Sequence, residues 1–404
     1  VVVVGSSVVD FEYAEAPRGV VAAFDAVPGA QRWRFDPLAG VSGTGGGKVW
    51  SPISIDAERD LVSLPTSSPS PDYYGVNRQG GDGDAHSVVA LQLATGKKVW
   101  SFAVTHHDLW DYDTPAQPTL FDLERDGRSI PALAQPTKMG HLFILDRETG
   151  KPLFPVEERA VSQRGQVAGE YLSPTQPFPL QPVPLNRAPL SVDDAWGFTF
   201  WDRDSCRERI AGLRNEGIFT PPSIQGSVYY PSDFGGNNWG TPAIDPLRKL
   251  IVLNTMYVPS AIRLIPRAEC TAGADLLTSP QLGTPYCVKI EPLMSPLGAP
   301  CAAPPWGTLA AIDLVSGDKR WEVPLGTLGS LAPWPFSLMK GAPNVGGASV
   351  TAGGVTFIAA TPDYYLRCLL YTSPGPGDPG AYGKRSSVGK KKNTDINKTH
   401  VFSL

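Results

Sequence analysis

VVAAFDAVPGAQRWRF from Val20, VVALQLATGKKVWSF from Val88, HLFILDRETGKPLFP from His141 and LAAIDLVSGDKRWEV from Leu309 are four copies of one pattern. Each begins with an apolar stretch, carries an Asp at its end in three of the copies (Asp25, Asp146, Asp313), reaches a glycine a few residues on, and returns through Trp33, Trp100, Phe154 or Trp321. This is a β-hairpin whose glycine supplies a backbone angle other residues resist, and whose aromatic side chain recurs at one place on the second strand. A unit this small cannot bury its own apolar face, so its copies must stack on one another as a solenoid or a propeller. Strand-turn-strand units with few helices favour the propeller: an all-β fold with four-stranded blades. The copies are unevenly spaced, which predicts long insertions between some of them. The stretch Arg159 to Leu190, with six prolines, is expected to be a surface loop, and Trp201 to Asn215 the one convincing helix, with Gly217 near its end.

Composition agrees with a turn-rich β protein. Glycine (42) and proline (41) make about a fifth of the 404 residues without a collagen period. Charged residues are 18% and the formal net charge is −4, so no basic surface argues for a nucleic acid partner. No apolar run approaches the roughly 20 residues that span a bilayer. The opening Val-Val-Val-Val-Gly is too short for a signal peptide and reads as a buried strand cut in mid-protein. Five cysteines (206, 270, 287, 301, 368) contain no CxxC pair, which argues against zinc. Cys270 and Cys287 bracket a loop and are a candidate disulfide in an oxidising compartment, with free cysteines as the alternative. From Cys368 to Leu404 the texture turns Ser/Gly/Pro-rich, with six Lys/Arg against two acids. This predicts a folded unit over 1–367 and a disordered or non-native tail over 368–404, a basic interaction tail being the other reading.

The densest cluster of reactive side chains is Thr105-His106-His107-Asp108-Leu109-Trp110-Asp111-Tyr112-Asp113, directly after the Trp100 strand. Burying so many carboxylates and imidazoles is costly without a purpose, although a solvated loop would also carry them. His106 and His107 are poor joint metal ligands, because adjacent residues on extended backbone point to opposite faces.

The runs VWSPISIDAERDLVSLP from Val49, SPDYYG from Ser70, HHDLWDYDTPAQPTL from His106, QPTKMGHLFILDRETG from Gln135, EGIFTPPSIQGSVYYP from Glu216 and AATPDYYLR from Ala359 occur in this order. Together they make the chain, from Val1 to Arg367, resemble the membrane-bound PQQ-dependent (quinoprotein) dehydrogenases of the glucose and quinate/shikimate type. The resemblance implies an eight-bladed propeller, incomplete in this chain, with pyrroloquinoline quinone (PQQ) at its axis. It implies oxidation of an aldose such as glucose, or of a cyclic polyol, with electrons passed to ubiquinone. The place would be the periplasmic side of the bacterial inner membrane, with an N-terminal anchor preceding the point where this chain begins.

Residue by residue, the resemblance makes Asp111 the general base, which takes the substrate hydroxyl proton as hydride leaves the same carbon. Lys138 would bond the quinone oxygens, Trp50 would stack on the ring, and Asn254 and Ser70 would lie at the cofactor. Core packing for Trp50 and a backbone partner for Asn254 are the plainer readings of those two residues. A Ca²⁺ or Mg²⁺ ion is implied as well, with Asp10 as its residue, although Val9 stands where relatives carry an Asp. The hairpin expected after DYYLR is replaced by CLLYTSPGPG. Two other readings remain: a soluble-type PQQ alcohol dehydrogenase, whose adjacent Cys-Cys pair is absent here, and a non-catalytic propeller scaffold, which has no need of HHDLWD or PTK.

Overall fold

The computed structural model describes residues 1–78, 81–271, 277–329 and 331–370, with the strands Lys384–Ser387 and Lys398–Ser403. All four repeated segments form the same turn. The amide of Asp25, Gln92, Asp146 or Asp313 donates to the carbonyl five residues on, and the glycine amide of Gly29, Gly96, Gly150 or Gly317 donates back to that same first residue. Each glycine has φ between 69 and 79°. The aspartates close the turn with their side chains: Asp146 Oδ1 accepts the amides of Glu148 (2.9 Å) and Thr149 (2.8 Å), and Asp313 Oδ1 those of Val315 (2.8 Å) and Ser316 (2.9 Å). Behind three of the turns an alanine faces the tryptophan, Ala23 with Trp33, Ala90 with Trp100 and Ala311 with Trp321, and the register shifts at the next residue each time.

These hairpins close antiparallel sheets that follow one another. Sheet A is Val2–Val4, Val21–Phe24 and Gln31–Phe35; sheet B is Ser54–Asp56, Leu61–Pro65, Ser87–Gln92 and Lys98–Ala103. Sheet C is Thr119–Arg125, Arg128–Pro136 and Leu142–Asp146; sheet D is Ala243–Asp245, Leu250–Met256, Gly307–Asp313 and Lys319–Pro324. Sheet E begins with Ala348–Val350, Val355–Ile358 and Tyr365–Leu370. The first strands of B, C, D and E lie side by side in that order, as the inner strands of a propeller do.

The sheets face one another across apolar layers. Strand Leu250–Met256 shows how: Ile251 and Leu253 pack with Phe121, Leu123 and Ile144 of sheet C, while Leu250 and Val252 pack with Ile358 of sheet E. Alternate residues serve opposite layers, so the strand is buried throughout and its first four residues, Leu250 to Leu253, are all apolar. The repeated aromatic ties each sheet to the next. Trp33 Nε1 donates to Leu93 O (2.8 Å) and Trp100 Nε1 to Arg147 O (2.9 Å). A Cβ on Gly96 would lie 2.6 Å from the Trp33 ring, and one on Gly150 would lie 2.5 Å from Trp100. The turn glycine therefore has a second duty, as the flat seat for the preceding sheet's indole.

Insertions stand outside this series. The proline-rich stretch is more ordered than a surface loop: Thr175–Pro179 pairs with Val156–Ala160 as a two-stranded ribbon. Pro177 and Pro179 sit on this edge strand, where a missing N–H costs little. The helix spans Phe200–Ala211, capped by the Thr199 hydroxyl, and ends at Gly212, so it stops before Asn215 and Gly217. Another insertion is the sheet Ser227–Tyr229, Ser260–Pro266, Tyr286–Pro292 and Thr278–Ser279. Disulfides join Cys206 to Cys301 and Cys270 to Cys287, the latter being the pair expected from sequence. Lys398–Ser403 pairs with Tyr365–Leu370 and with Lys384–Ser387. The rest of 371–404, on which the expectation of a disordered or non-native tail mostly falls, lies outside the described residues. No helix among the described residues is long and apolar enough to cross a membrane.

Candidate active site

In an antiparallel meander the start of the first strand and the end of the second lie at the same edge. Trp50 precedes the first strand of sheet B, and Ser68 and Ser70 follow its second. Asp111 and Asp113 precede the first strand of sheet C, and Lys138 follows its second. Asn254 lies near the end of the second strand of sheet D. Residues far apart in sequence thus come to one end of three consecutive sheets.

At the centre is Lys138, whose ammonium lies 2.7 Å from Asp111 Oδ2 and 3.1 Å from Asp113 Oδ2. Trp50 Nε1 donates to Asp113 Oδ2 (3.3 Å). Ser68 donates its amide (2.8 Å) and its hydroxyl (3.0 Å) to Asp113 Oδ1, and the same hydroxyl reaches Asp111 Oδ1 at 3.2 Å. The structure therefore brings Trp50, Asp111 and Lys138 together, with Asp113 and Ser68 as the links. The Asp111 side chain keeps 16% of its surface exposed and that of Asp113 only 3%, so Asp111 is the carboxylate that looks outward.

Burial sets the electrostatics. It pushes the Asp111 carboxyl well above the usual carboxylate range, and the Asp113 charge adds to the push while Lys138 opposes it. For Asp113 burial acts the same way, but the Lys138 and Lys48 ammoniums outweigh it and hold the carboxyl well below its usual range. Burial would lower the Lys138 ammonium, yet Asp111 and Asp113 more than reverse this and push it up.

Asp10 and Ser70 form a neighbouring group. Lys48 Nζ lies 2.7 Å from Asp10 Oδ1 and 2.6 Å from Oδ2, and it also donates to Val8 O (3.0 Å). The Ser70 hydroxyl donates to Asp10 O (3.0 Å) and to Tyr13 O, so it is engaged by backbone. Among the described residues no three His, Cys, Asp or Glu side chains gather as a cation site. With Asp10 already neutralised by a lysine, the residues present do not by themselves fit the Ca²⁺ or Mg²⁺ that the resemblance implies. The ammonium supplies the positive charge there.

Asn254 stands further off. Its Nδ2 donates to Asn344 Oδ1 (2.5 Å), and its buried Oδ1 finds no donor among the described residues. It is tied to Lys138 through Gly236, whose amide donates to Lys138 O (2.6 Å) and whose carbonyl accepts the Met256 amide (2.7 Å). The Lys138 ammonium, with an N–H beyond the two turned to Asp111 and Asp113, and the half-buried face of the Trp50 indole suit a planar, oxygen-rich ring such as PQQ, while the Asp111 carboxylate and the unpaired Asn254 Oδ1 are acceptors.

Sequence reasoning gave no role to four members of the cluster, although Asp113 lay in the stretch it singled out. Asp113 and Ser68 are its links, Lys48 is Asp10's partner, and Asp72 is fully buried with neither carboxylate oxygen hydrogen-bonded among the described residues. Two carboxylates spaced as in Asp111-Tyr112-Asp113 were the available signal for Asp113, and the polar run Thr66-Ser67-Ser68 inside a buried segment was the signal for Ser68. His106 and His107 go elsewhere: they bond Glu158 and Glu170 at 3.0 Å each and line a separate cleft of about 640 Å³.

The chain is similar to known proteins. A quinoprotein glucose dehydrogenase of Escherichia coli is 38% identical over 391 residues, covering 91% of this chain and 49% of the relative. A quinate/shikimate dehydrogenase (quinone) of Acinetobacter baylyi is 37% identical over 394 residues, covering 91% and 49%. The chain thus spans about half the length of the curated relatives it matches. Among solved structures, the quinohemoprotein alcohol dehydrogenase of Comamonas testosteroni superposes with a TM-score of 0.58 at 22% identity, covering 91% of this chain and 49% of that one, which supports the propeller fold. Residues 1–372 match the model of the PQQ glucose/ethanol/alcohol dehydrogenase β-propeller domain, and the chain belongs to that family.

Proposed function

We propose that this chain is the cofactor-binding part of a PQQ-dependent dehydrogenase that oxidises a CH–OH group of a sugar such as glucose, or of a cyclic polyol, and passes the electrons to a quinone, ubiquinone in the full-length protein. The observation that carries the reading is the Lys138 ammonium shared by Asp111 and Asp113 beside the Trp50 indole. Asp111, the more exposed carboxylate, accepts the substrate hydroxyl proton on its outward oxygen. Bound PQQ supplies the acceptor for the hydride that leaves the same carbon. Lys138 keeps Asp113 charged and Asp111 oriented, and offers its remaining N–H to an oxygen of the bound ring. Trp50 presents its face to the ring plane, Asn254 offers its unpaired Oδ1 as an acceptor, and Ser70 steadies the backbone at Asp10 rather than bonding cofactor. No step runs through a metal ion.

Two disulfides suit an oxidising compartment, and a periplasmic site at the inner membrane, held by an N-terminal anchor in the full-length protein, belongs to the same reading. So does an eight-bladed ring of which residues 1–367 form part; five sheets in series support it.

The test is a pair of substitutions in the PQQ-loaded enzyme, assayed with glucose and quinate and a quinone acceptor. Asp111→Asn is expected to lower kcat by about 10²–10⁴-fold while PQQ absorbance is retained. Trp50→Ala is expected to weaken PQQ binding by about tenfold or more. Unchanged turnover in Asp111→Asn removes the general base from this reading.

A further inference from the structure

We propose that Asp108 is a positioning residue for Asp111, its carboxylate holding the turn that turns the Asp111 side chain outward; the proposal rests on the reading of Asp111 as the proton acceptor. Asp111 has φ of 52°, a left-handed conformation uncommon outside glycine, which Asp tolerates better than most residues and which its neighbours hold here. The neighbours do so from both sides. The amide of Trp110 donates to Asp108 Oδ2 (3.3 Å), and the amide of Tyr112 donates to Oδ1 (3.2 Å) and Oδ2 (3.3 Å). One buried carboxylate therefore clasps the N–H groups on either side of Asp111.

Asp108 is itself held rigidly. It is completely buried, and Arg78 Nη1 donates to its carbonyl at 2.6 Å. Its amide donates to Asp82 Oδ2 (3.1 Å), and His86 Nε2 lies 3.7 Å from its Oδ2. Arg78 is in turn anchored through Pro71 O (2.7 Å) and Asp82 (3.3 Å).

The flanking side chains are pinned at their far ends. Trp110 Nε1 donates to Thr220 O (2.7 Å), and the Tyr112 hydroxyl donates to Ile218 O (3.0 Å) and Pro231 O (3.2 Å). With Trp110 and Tyr112 drawn inward on one side and their amides clasped on the other, Asp111 is the residue of the three left at the opening. Loss of the carboxylate leaves the aromatic anchors in place but frees the backbone between them. A shift of about 1 Å in a reacting group can cost about 10²-fold in rate, so the consequence falls on kcat.

The experiment compares Asp108→Ala, Asp108→Asn, Asp111→Asn and the Asp108→Ala/Asp111→Asn double variant in the PQQ-loaded enzyme. Asp108→Ala is expected to lower kcat by about 10–100-fold, with KM and PQQ affinity within about threefold of the parent. Asp108→Asn, which keeps one acceptor oxygen, is expected to lose about 3–10-fold. In the Asp111→Asn background the alanine change is expected to add no further loss, because residues acting as a unit are not additive. A purely structural role would instead lower PQQ binding and kcat together and deepen the loss in the double variant, and either result overturns the proposal. Should Asp108→Ala not accumulate as folded protein, Asp108→Asn decides alone, and a parental kcat there overturns the proposal. If Asp111→Asn itself keeps parental turnover, the general-base reading has failed; if it loses turnover while both Asp108 variants keep theirs, only the positioning role has failed.

Discussion

Asp111 and Asp113 lie two residues apart on one ammonium, yet burial and charge drive them in opposite directions. The outward carboxyl is raised by burial and the inner one lowered, because at the inner one the Lys138 and Lys48 ammoniums outweigh burial, with the Ser68 amide adding to them. On the proposed reading Asp111 must be ionised to accept the proton, so the rate is expected to fall as pH drops through its raised range. Asp113→Asn removes the negative charge that helps raise it, and the acid limb of kcat/KM is expected to move to lower pH. A pH–rate profile of the variant checks this; a limb that stays in place counts against the coupling. His141 gives a stability effect of the same kind. It is fully buried, neither ring nitrogen is hydrogen-bonded among the described residues, and burial pushes it down to about 3 from 6.5. Between those values the unfolded chain binds the extra proton, so this residue's contribution is complete above pH 6.5 and is lost as pH falls toward 3. At pH 5 the loss comes to about 2 kcal/mol. His141→Phe is expected to flatten the decline of Tm between pH 7 and pH 5, measured by thermal unfolding.

At the scale of the element, the repeated turn does two things at once, and glycine substitutions separate them. Gly29 (φ 71°) has nothing within 4 Å of an added Cβ, whereas at Gly150 (φ 69°) the added atom would meet the Trp100 ring at 2.5 Å. Gly29→Ala therefore carries only backbone strain, about 1–2 kcal/mol. Gly150→Ala adds the displacement of the indole and is expected to cost a further 1–3 kcal/mol or so. Urea unfolding of the two variants should separate them; equal losses would mean that the tryptophan seat contributes nothing. The hairpins were legible because one local pattern, Asp or Gln to Gly to aromatic, dictates the whole turn. The helix end was not, because Gly212 and Gly217 both look like stops, and Gly212 closes it by donating its amide to Glu208 O.

For the whole molecule, the Cys206–Cys301 disulfide closes a span of 95 residues and Cys270–Cys287 one of 17. Chain entropy makes the first worth up to about 4.7 kcal/mol and the second about 3. Paired serine substitutions are expected to lower Tm in that order, read by calorimetry. The long link ties the helix Phe200–Ala211 to the segment whose Cys301 carbonyl accepts the Trp196 amide, so its loss should loosen the insertion before the sheets.

The sequence by itself determined the hairpin, its turn, the aromatic on its second strand and hence the stacked β fold, since all of these are local and repeated. Through its motifs it also named Trp50, Asp111 and Lys138, which the fold does bring together. Tertiary structure decided the rest. Lys48 takes Asp10, Ser70 turns to backbone, Asn344 takes half of Asn254's amide, and Asp113 and Ser68 become the centre of the cluster. These pairings join segments up to 90 residues apart. No local pattern encodes them, because a charge buried among neighbours answers to whatever the packed sheets place beside it.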